Sequence, residues 1–242
     1  MRSLLVMAAV ILAAPAWAVQ PTAETGRAYD QYIAAVEKQL REGAFLYADA
    51  HAEAKAAARS GQTDVVEVRN GDDRVPDGLI HDWLGISFFP GAHIAGVRAV
   101  MQDYASYKRI YTPDVVDSRT LARDGERFNV FLRLQNKQFI TVTYDAEYEV
   151  SYAAPAAGRL EVMSRSTRIE QAGNDYGFLW RMNSYWRFEE ADGGVYAECR
   201  SVSLSREIPY GFGWLQGALE RFPRDSIVRT MDAMRRAVAA QR

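Results

Sequence analysis

Few residues in this chain are of a type and spacing that does covalent chemistry. The histidines are His51, His81 and His93. His81 and His93 flank an apolar stretch and can meet a carboxylate such as Asp82 or Asp103, but no spacing matches a zinc signature. His51 lies in an alanine-rich stretch and reads as solvated. There is no nucleophile elbow and no phosphate-cradling glycine loop, and Cys199 is the only cysteine. No catalytic residue, metal site or cofactor is therefore assigned. Asp145, Glu147 and Glu149 share one strand face, which reads as a solvated row that discourages edge-to-edge association. Glu198 and Arg200 share a face with Tyr196, Val202 and Leu204 by counting in twos. If that face points inward, a charged pair lies beneath the last helix and can orient a polar head group. If instead Ala197 and Cys199 point inward, the two charges meet water.

The aromatic residues carry more of the functional argument. Tyr144, Tyr148 and Tyr152 alternate on one strand, and Trp180, Met182 and Trp186 on another. Large rings on one face either fill a core or line a cavity. Three tyrosines on a buried face need partners for their hydroxyls, which favours a lining with polar points. With Glu198, Arg200 and Trp214, these six residues are the candidate ligand contacts.

The elements that must position them follow from periodicity. Glu24 to Leu40 has helical spacing through Tyr29, Ile33, Val36 and Leu40. Asp49 can cap a second, alanine-rich helix ending near Arg59. Val65 to Val68 and Leu79 to Phe89 read as strands, with a turn at Asn70-Gly71-Asp72-Asp73 between them. Ile94 to Tyr107 is helical. Strands are then expected at Val115–Leu121, Arg127–Leu134, Arg159–Ile169, Phe178–Phe188 and Val195–Leu204. The clearest strand places Ile140, Val142, Tyr144, Ala146, Tyr148, Val150 and Tyr152 on one face, opposite Thr143, Asp145 and Glu147. A long helix from about Phe212 carries Trp214, Ala218 and Phe222, then Ile227, Met231, Met234 and Val238, with Pro223 expected to kink or interrupt it.

The first residues read as an export signal. Arg2 precedes an apolar run from Leu4 to Ala14, too short to span a bilayer, and Ala16-Trp17-Ala18 offers small residues where a signal peptidase reads. Cleavage is expected after Ala18, leaving Val19 first. The expected division is 1–18 signal peptide, 19–60 N-terminal helical extension and 61–242 main domain, in a periplasmic or secreted protein with no transmembrane segment once processed. The net charge of -2 gives no electrostatic reason to bind nucleic acid. A lone cysteine forms no internal disulfide, so the core must hold an exported chain together. A hydrophobic fraction of 48% makes that feasible. Cys199 reads as a small buried hydrophobe.

Helix, antiparallel strands and a long final helix together suggest a curved sheet covered by that helix. Val100 to Tyr107 followed by Tyr111 to Ser118 resembles the helix-to-strand passage of the START-like, or SRPBCC, superfamily. Asp192-Gly193-Gly194-Val195-Tyr196 through Leu204-Ser205-Arg206-Glu207-Ile208-Pro209 resembles its last strand leading into the long helix. The resemblance covers roughly Leu79 to Val238. It implies an α+β helix-grip fold, a curved antiparallel sheet wrapped around the C-terminal helix, in a divergent exported member with an N-terminal helical extension. That extension is either an extra cover or an oligomer contact. The fold also implies a cavity between sheet and final helix. The expected function is therefore binding of a hydrophobic or amphipathic small molecule, a lipid being the natural candidate. A cyclase- or hydrolase-like enzyme and a filled structural module are the alternatives.

Overall fold

The computed structural model describes residues 20–68, 74–136, 141–173, 178–206 and 213–241, without the side chains at 136 and 213–223. The expected leader, the Asn70–Asp73 turn, Ile140 and the Trp214 side chain lie outside the described residues.

Three helices come first. α1 (Ala23–Glu42) starts where the Thr22 hydroxyl accepts the Thr25 N–H at 3.1 Å, and it buries Tyr29, Ile33 and Val36. The alanine-rich stretch forms two short helices, α2 (Tyr47–Ala50) and α3 (Ala52–Arg59), rather than one. Asp49 is not the first cap of that stretch. It sits inside α2 and reaches back to the Leu46 N–H at 3.2 Å.

β1 (Asp64–Glu67), β2 (Arg74–Val75) and β3 (Gly78–Pro90) follow. The helix expected over Ile94–Tyr107 breaks at Asp103 into α4 (Ile94–Gln102), a 3-10 turn (Tyr104–Ser106) and α5 (Tyr107–Ile110). Then come β4 (Val115–Asp124), β5 (Arg127–Asn136), β6 (Val142–Ala153), β7 (Arg159–Gln171), β8 (Leu179–Ala191) and β9 (Gly194–Arg206). α6 (Gly213–Ala239) runs on through Pro223 as one helix. The strands form one nine-stranded antiparallel sheet in the order β1-β3-β9-β8-β7-β6-β5-β4, with β2 paired to β3.

Both faces of the β3–β9–β8 half are covered. On the concave face, Ile227, Met231, Met234 and Val238 of α6 join a core with Phe89, Tyr104, Phe128, Tyr152, Trp186 and Phe188. On the convex face, α1 packs Tyr29 and Ile33 against Ile80, Trp180, Val202 and Leu204. α2 and α3 pack Ala48, Ala54 and Ala58 against Leu84, Ile86, Phe88 and Tyr196. The N-terminal helices are thus a cover for the sheet. Two-sided burial explains why β9 is buried at every residue from Gly194 to Arg200 instead of at alternate ones.

α6 packs directly onto the sheet at Gly85. A β-carbon there would stand 2.3 Å from Cγ2 of Ile227 and 3.5 Å from Cγ of Met231. A branched Ile side chain held in a helix cannot swing away, so the helix itself must shift. Gly85→Ala is expected to destabilise the protein by about 1–3 kcal/mol, the usual cost of overpacking, read as a lower chemical-denaturation midpoint.

Candidate ligand-binding concavity

Cross-strand pairing sets out the concave floor row by row. One row runs Tyr152, Val162, Trp186, Cys199, Gly85 from β6 to β3. It is packed, because α6 presses Ile227 onto Gly85 and Tyr152 is tied down. The Tyr152 hydroxyl donates to the Met101 carbonyl at 2.8 Å, so the Tyr104 hydroxyl, 2.6 Å away, must donate to Tyr152.

The next row is Val150, Ser164, Ser184, Ser201, Trp83. Beyond it, Tyr148 pairs with Ser166, and Met182 pairs with Ser203, which pairs with His81. Here the floor changes character. Ser164, Ser184, Ser201, Ser203, Met182 and Trp83 are only half-buried, although β7, β8 and β9 are interior strands of the sheet. Leu132, Leu134 and Ile169 border this area as half-buried apolar groups.

The Tyr148 hydroxyl stands out. It is fully buried and has no hydrogen-bond partner among the described residues, and burial holds its pKa above the usual tyrosine value. A buried donor of that kind is costly unless something pairs with it. The hydroxyls of Ser164, Ser184, Ser201 and Ser203 also make no hydrogen bond among the described residues. Apart from Glu190, which lies on the concave side at the far end of β8 and is held by His93 and the Ile94 N–H, the described Asp, Glu, Lys and Arg residues of β3 and of β5 to β9 occupy the alternate, convex position.

The sequence-derived contacts therefore divide. Tyr148, Tyr152, Met182 and Trp186 lie on the concave face. Tyr144 shares their strand face but is half-buried, as are Thr143, Asp145 and Glu147, which were expected to be exposed. Arg133 holds Asp145 with two bonds of 2.6 and 2.7 Å, and Arg168 holds Glu147 at 3.0 Å, so these carboxylates form cross-strand pairs. Trp180 belongs to the other face. The β8–β9 register slips between Leu179 and Arg181, and this bulge turns Trp180 out beneath α1.

Glu198 and Arg200 fit neither expected arrangement. Ala197 and Cys199 do point inward, yet the two charges are buried, under the N-terminal helices. Arg200 holds Asp82 with bonds of 2.9 and 2.6 Å, Tyr32 donates to the same carboxylate at 2.9 Å, and Gln39 accepts from Arg200 at 3.2 Å. Glu198 accepts the backbone N–H groups of Tyr47 and Ala48, both at 2.8 Å. These groups dock helices and do not face the concavity. Sequence alternation does not single out the serine rows, because the large apolar residues Val202 and Leu204, which alternate with Ser201, Ser203 and Ser205, lie on the face that α1 covers. The signal was the run of small residues at every second position from Ala197 to Ser205.

The remaining polar residues settle simply. His81 Nε2 lies 2.9 Å from the Ser205 hydroxyl, His93 Nδ1 lies 2.7 Å from Glu190, and His51 stacks on Tyr47. No group of His, Cys, Asp and Glu suited to a metal ion occurs among the described residues. Burial pushes the Cys199 thiol up, away from the reactive thiolate. A cleft of about 300 Å³ lies on the convex side between α1 and β7–β8, but its Arg165 and Arg181 are already paired with Glu37 and Asp30.

A curved sheet gripping a long C-terminal helix is the START-like helix-grip fold. No family model matches the chain, and no curated protein matches its sequence. Among solved structures, the Thermus thermophilus protein TTHA0849 is similar at 14% identity with a TM-score of 0.51, over 65% of this chain and 97% of that one. A STAR-related lipid transfer protein from Xanthomonas axonopodis aligns at 16% identity with a TM-score of 0.49, over 73% and 98%. Human STARD10 aligns at 10% identity with a TM-score of 0.49, over 82% of each chain. At such identities the likeness concerns the fold.

Proposed function

We propose that this protein is an exported binding protein for a hydrophobic or amphipathic small molecule, with a lipid as the leading candidate, held between the concave sheet and α6. One observation carries the reading: a mid-sheet floor of half-buried small residues with apolar borders and a buried, unpartnered tyrosine hydroxyl. Ligand sites combine mostly apolar walls with a few polar points, and this floor has both. Export rests on the leader, with residues 19–60 as the helical cover and 61–242 as the START-like domain. No described helix is long and apolar enough to cross a membrane.

Native mass spectrometry of the protein from its own host should show an added mass that organic extraction removes, on a chain starting at or near Val19. A bare chain that also fails to take up Nile red would overturn the binding reading. A membrane-bound product retaining Met1 would overturn the export reading.

The Ser205–His81 contact favours a second reading, a hydrolase with Ser205 as nucleophile and His81 as base, since 2.9 Å is within reach for proton transfer. Covalent labelling of Ser205 by a fluorophosphonate would support it, and an unlabelled Ser205 would exclude it.

A further inference from the structure

We infer that the ligand is electrically neutral and carries hydroxyl or carbonyl groups spread along its body, not a single charged head. This rests on the binding reading above and specifies its ligand class.

Three features of the floor support it. Ser164, Ser184 and Ser201 stand side by side on β7, β8 and β9, and neighbouring strands lie about 4.8 Å apart, so their hydroxyls span about 10 Å. Ser203 extends the group along β9, and the Tyr148 hydroxyl adds a point two strands away from β8. Hydroxyls both donate and accept, so they suit alcohols, ketones and esters alike. They are also distributed, whereas a fatty acid or phospholipid head gathers its polar atoms at one end.

Charge is the second feature. A carboxylate or phosphate drawn out of water needs a cation or several strong donors. Most arginines of β5, β7, β8 and β9 are spent elsewhere: Arg133 on Asp145, Arg159 on Glu189, Arg165 on Glu37, Arg168 on Glu147, Arg181 on Asp30 and Arg200 on Asp82. Arg187 is likewise engaged, donating to the carbonyls of Leu40 and Phe45 on the convex side.

The third feature is the unpartnered Tyr148 itself. In the empty protein its buried hydroxyl is a liability, so its removal separates ligand binding from stability. Tyr148→Phe keeps the ring and its packing. It is expected to raise the denaturation midpoint of the empty protein while weakening binding of a ligand that pairs with the hydroxyl.

The test uses three probes with one acyl chain, each displacing Nile red: methyl 9,10-dihydroxystearate, methyl stearate and stearate. The dihydroxy ester should bind at least tenfold tighter than either of the others. The Ser184→Ala/Ser201→Ala double variant and Tyr148→Phe should each weaken the dihydroxy ester several-fold and leave methyl stearate unchanged. Tighter binding of stearate, or equal binding of the two esters, overturns the inference while leaving a binding protein in place. Unchanged affinity of the dihydroxy ester in both variants also overturns it. Failure of Nile red and all three probes to bind overturns the binding reading and the inference with it.

Discussion

Arg200→Ala is expected to lower stability by about 3–5 kcal/mol, the cost of leaving a buried charge without its partner. The side chains of Arg200 and Asp82 are 8% and 2% exposed, so water cannot take over the lost bonds. Asp82 would keep the Tyr32 hydroxyl, and Gln39 would lose the bond from Arg200. The damage falls where α1 meets β3 and β9, so α1 should loosen first and its amides should exchange hydrogen faster than those of α6. A paired replacement separates the charge from the packing. Asp82→Leu with Arg200→Met removes both ions and keeps an apolar filling, and it should recover most of the loss, because a buried pair adds little over a well-packed apolar substitute. Urea denaturation of the three variants checks this. A single-variant loss below about 1 kcal/mol would show that α1 does not depend on the pair.

The second large effect is a pH dependence set by Glu198. Burial pushes its carboxyl from 4.5 up to about 7, against the backbone N–H groups of Ala48 and Tyr47, which favour the charged form. Asp49 nearby pushes in the same direction as burial, and Arg187 opposes it. The folded value lies above the unfolded one, so the folded state prefers the proton. That preference contributes stability in full below about pH 4.5 and loses it as pH rises through about 7. The difference corresponds to about 3 kcal/mol. With other groups subtracted, the protein should therefore be more stable at pH 5 than at pH 8. Glu198→Gln removes the titration while keeping the shape. Its amide can satisfy only one of the two N–H groups and sets a donor against the other, so it should be less stable than the parent at pH 5. The gap should narrow or reverse at pH 8. Denaturation midpoints at the two pH values decide the matter, and a gap that stays constant with pH refutes the role of Glu198.

Alternation alone was enough to pair Tyr148 with Tyr152 on one face of β6 and to place Met182 and Trp186 together on β8. It was enough because a side chain's face repeats every second residue wherever the ladder is regular. The stripe Ile227, Met231, Met234, Val238 was legible for the same kind of reason, since helical spacing holds along α6 even through Pro223. A local pattern carries no information about distant irregularities. The bulge at Trp180 is one extra residue on β8 against β9, and it reversed the face of a residue whose sequence spacing looked regular.

Which face of β9 is inner was also beyond the sequence. Alternation is informative when one face is wet and the other dry, but here both are dry. Val202 and Leu204 are apolar because α1 covers them, and Glu198 and Arg200 are tolerated in the interior because α2, Tyr32, Gln39 and Asp82 complete their bonds. Those partners stand more than 100 residues away in the chain, so only folding brings them into range. The sequence by itself determined most of the elements and the inward stripes of β6 and α6, because these follow from short-range periodicity, and the helix-grip plan followed from the family resemblance. The tertiary structure decided that the charges hold the N-terminal helices in place and that Ser164, Ser184, Ser201 and Ser203 lie half-buried on the concave face, because both depend on which surface each strand face meets.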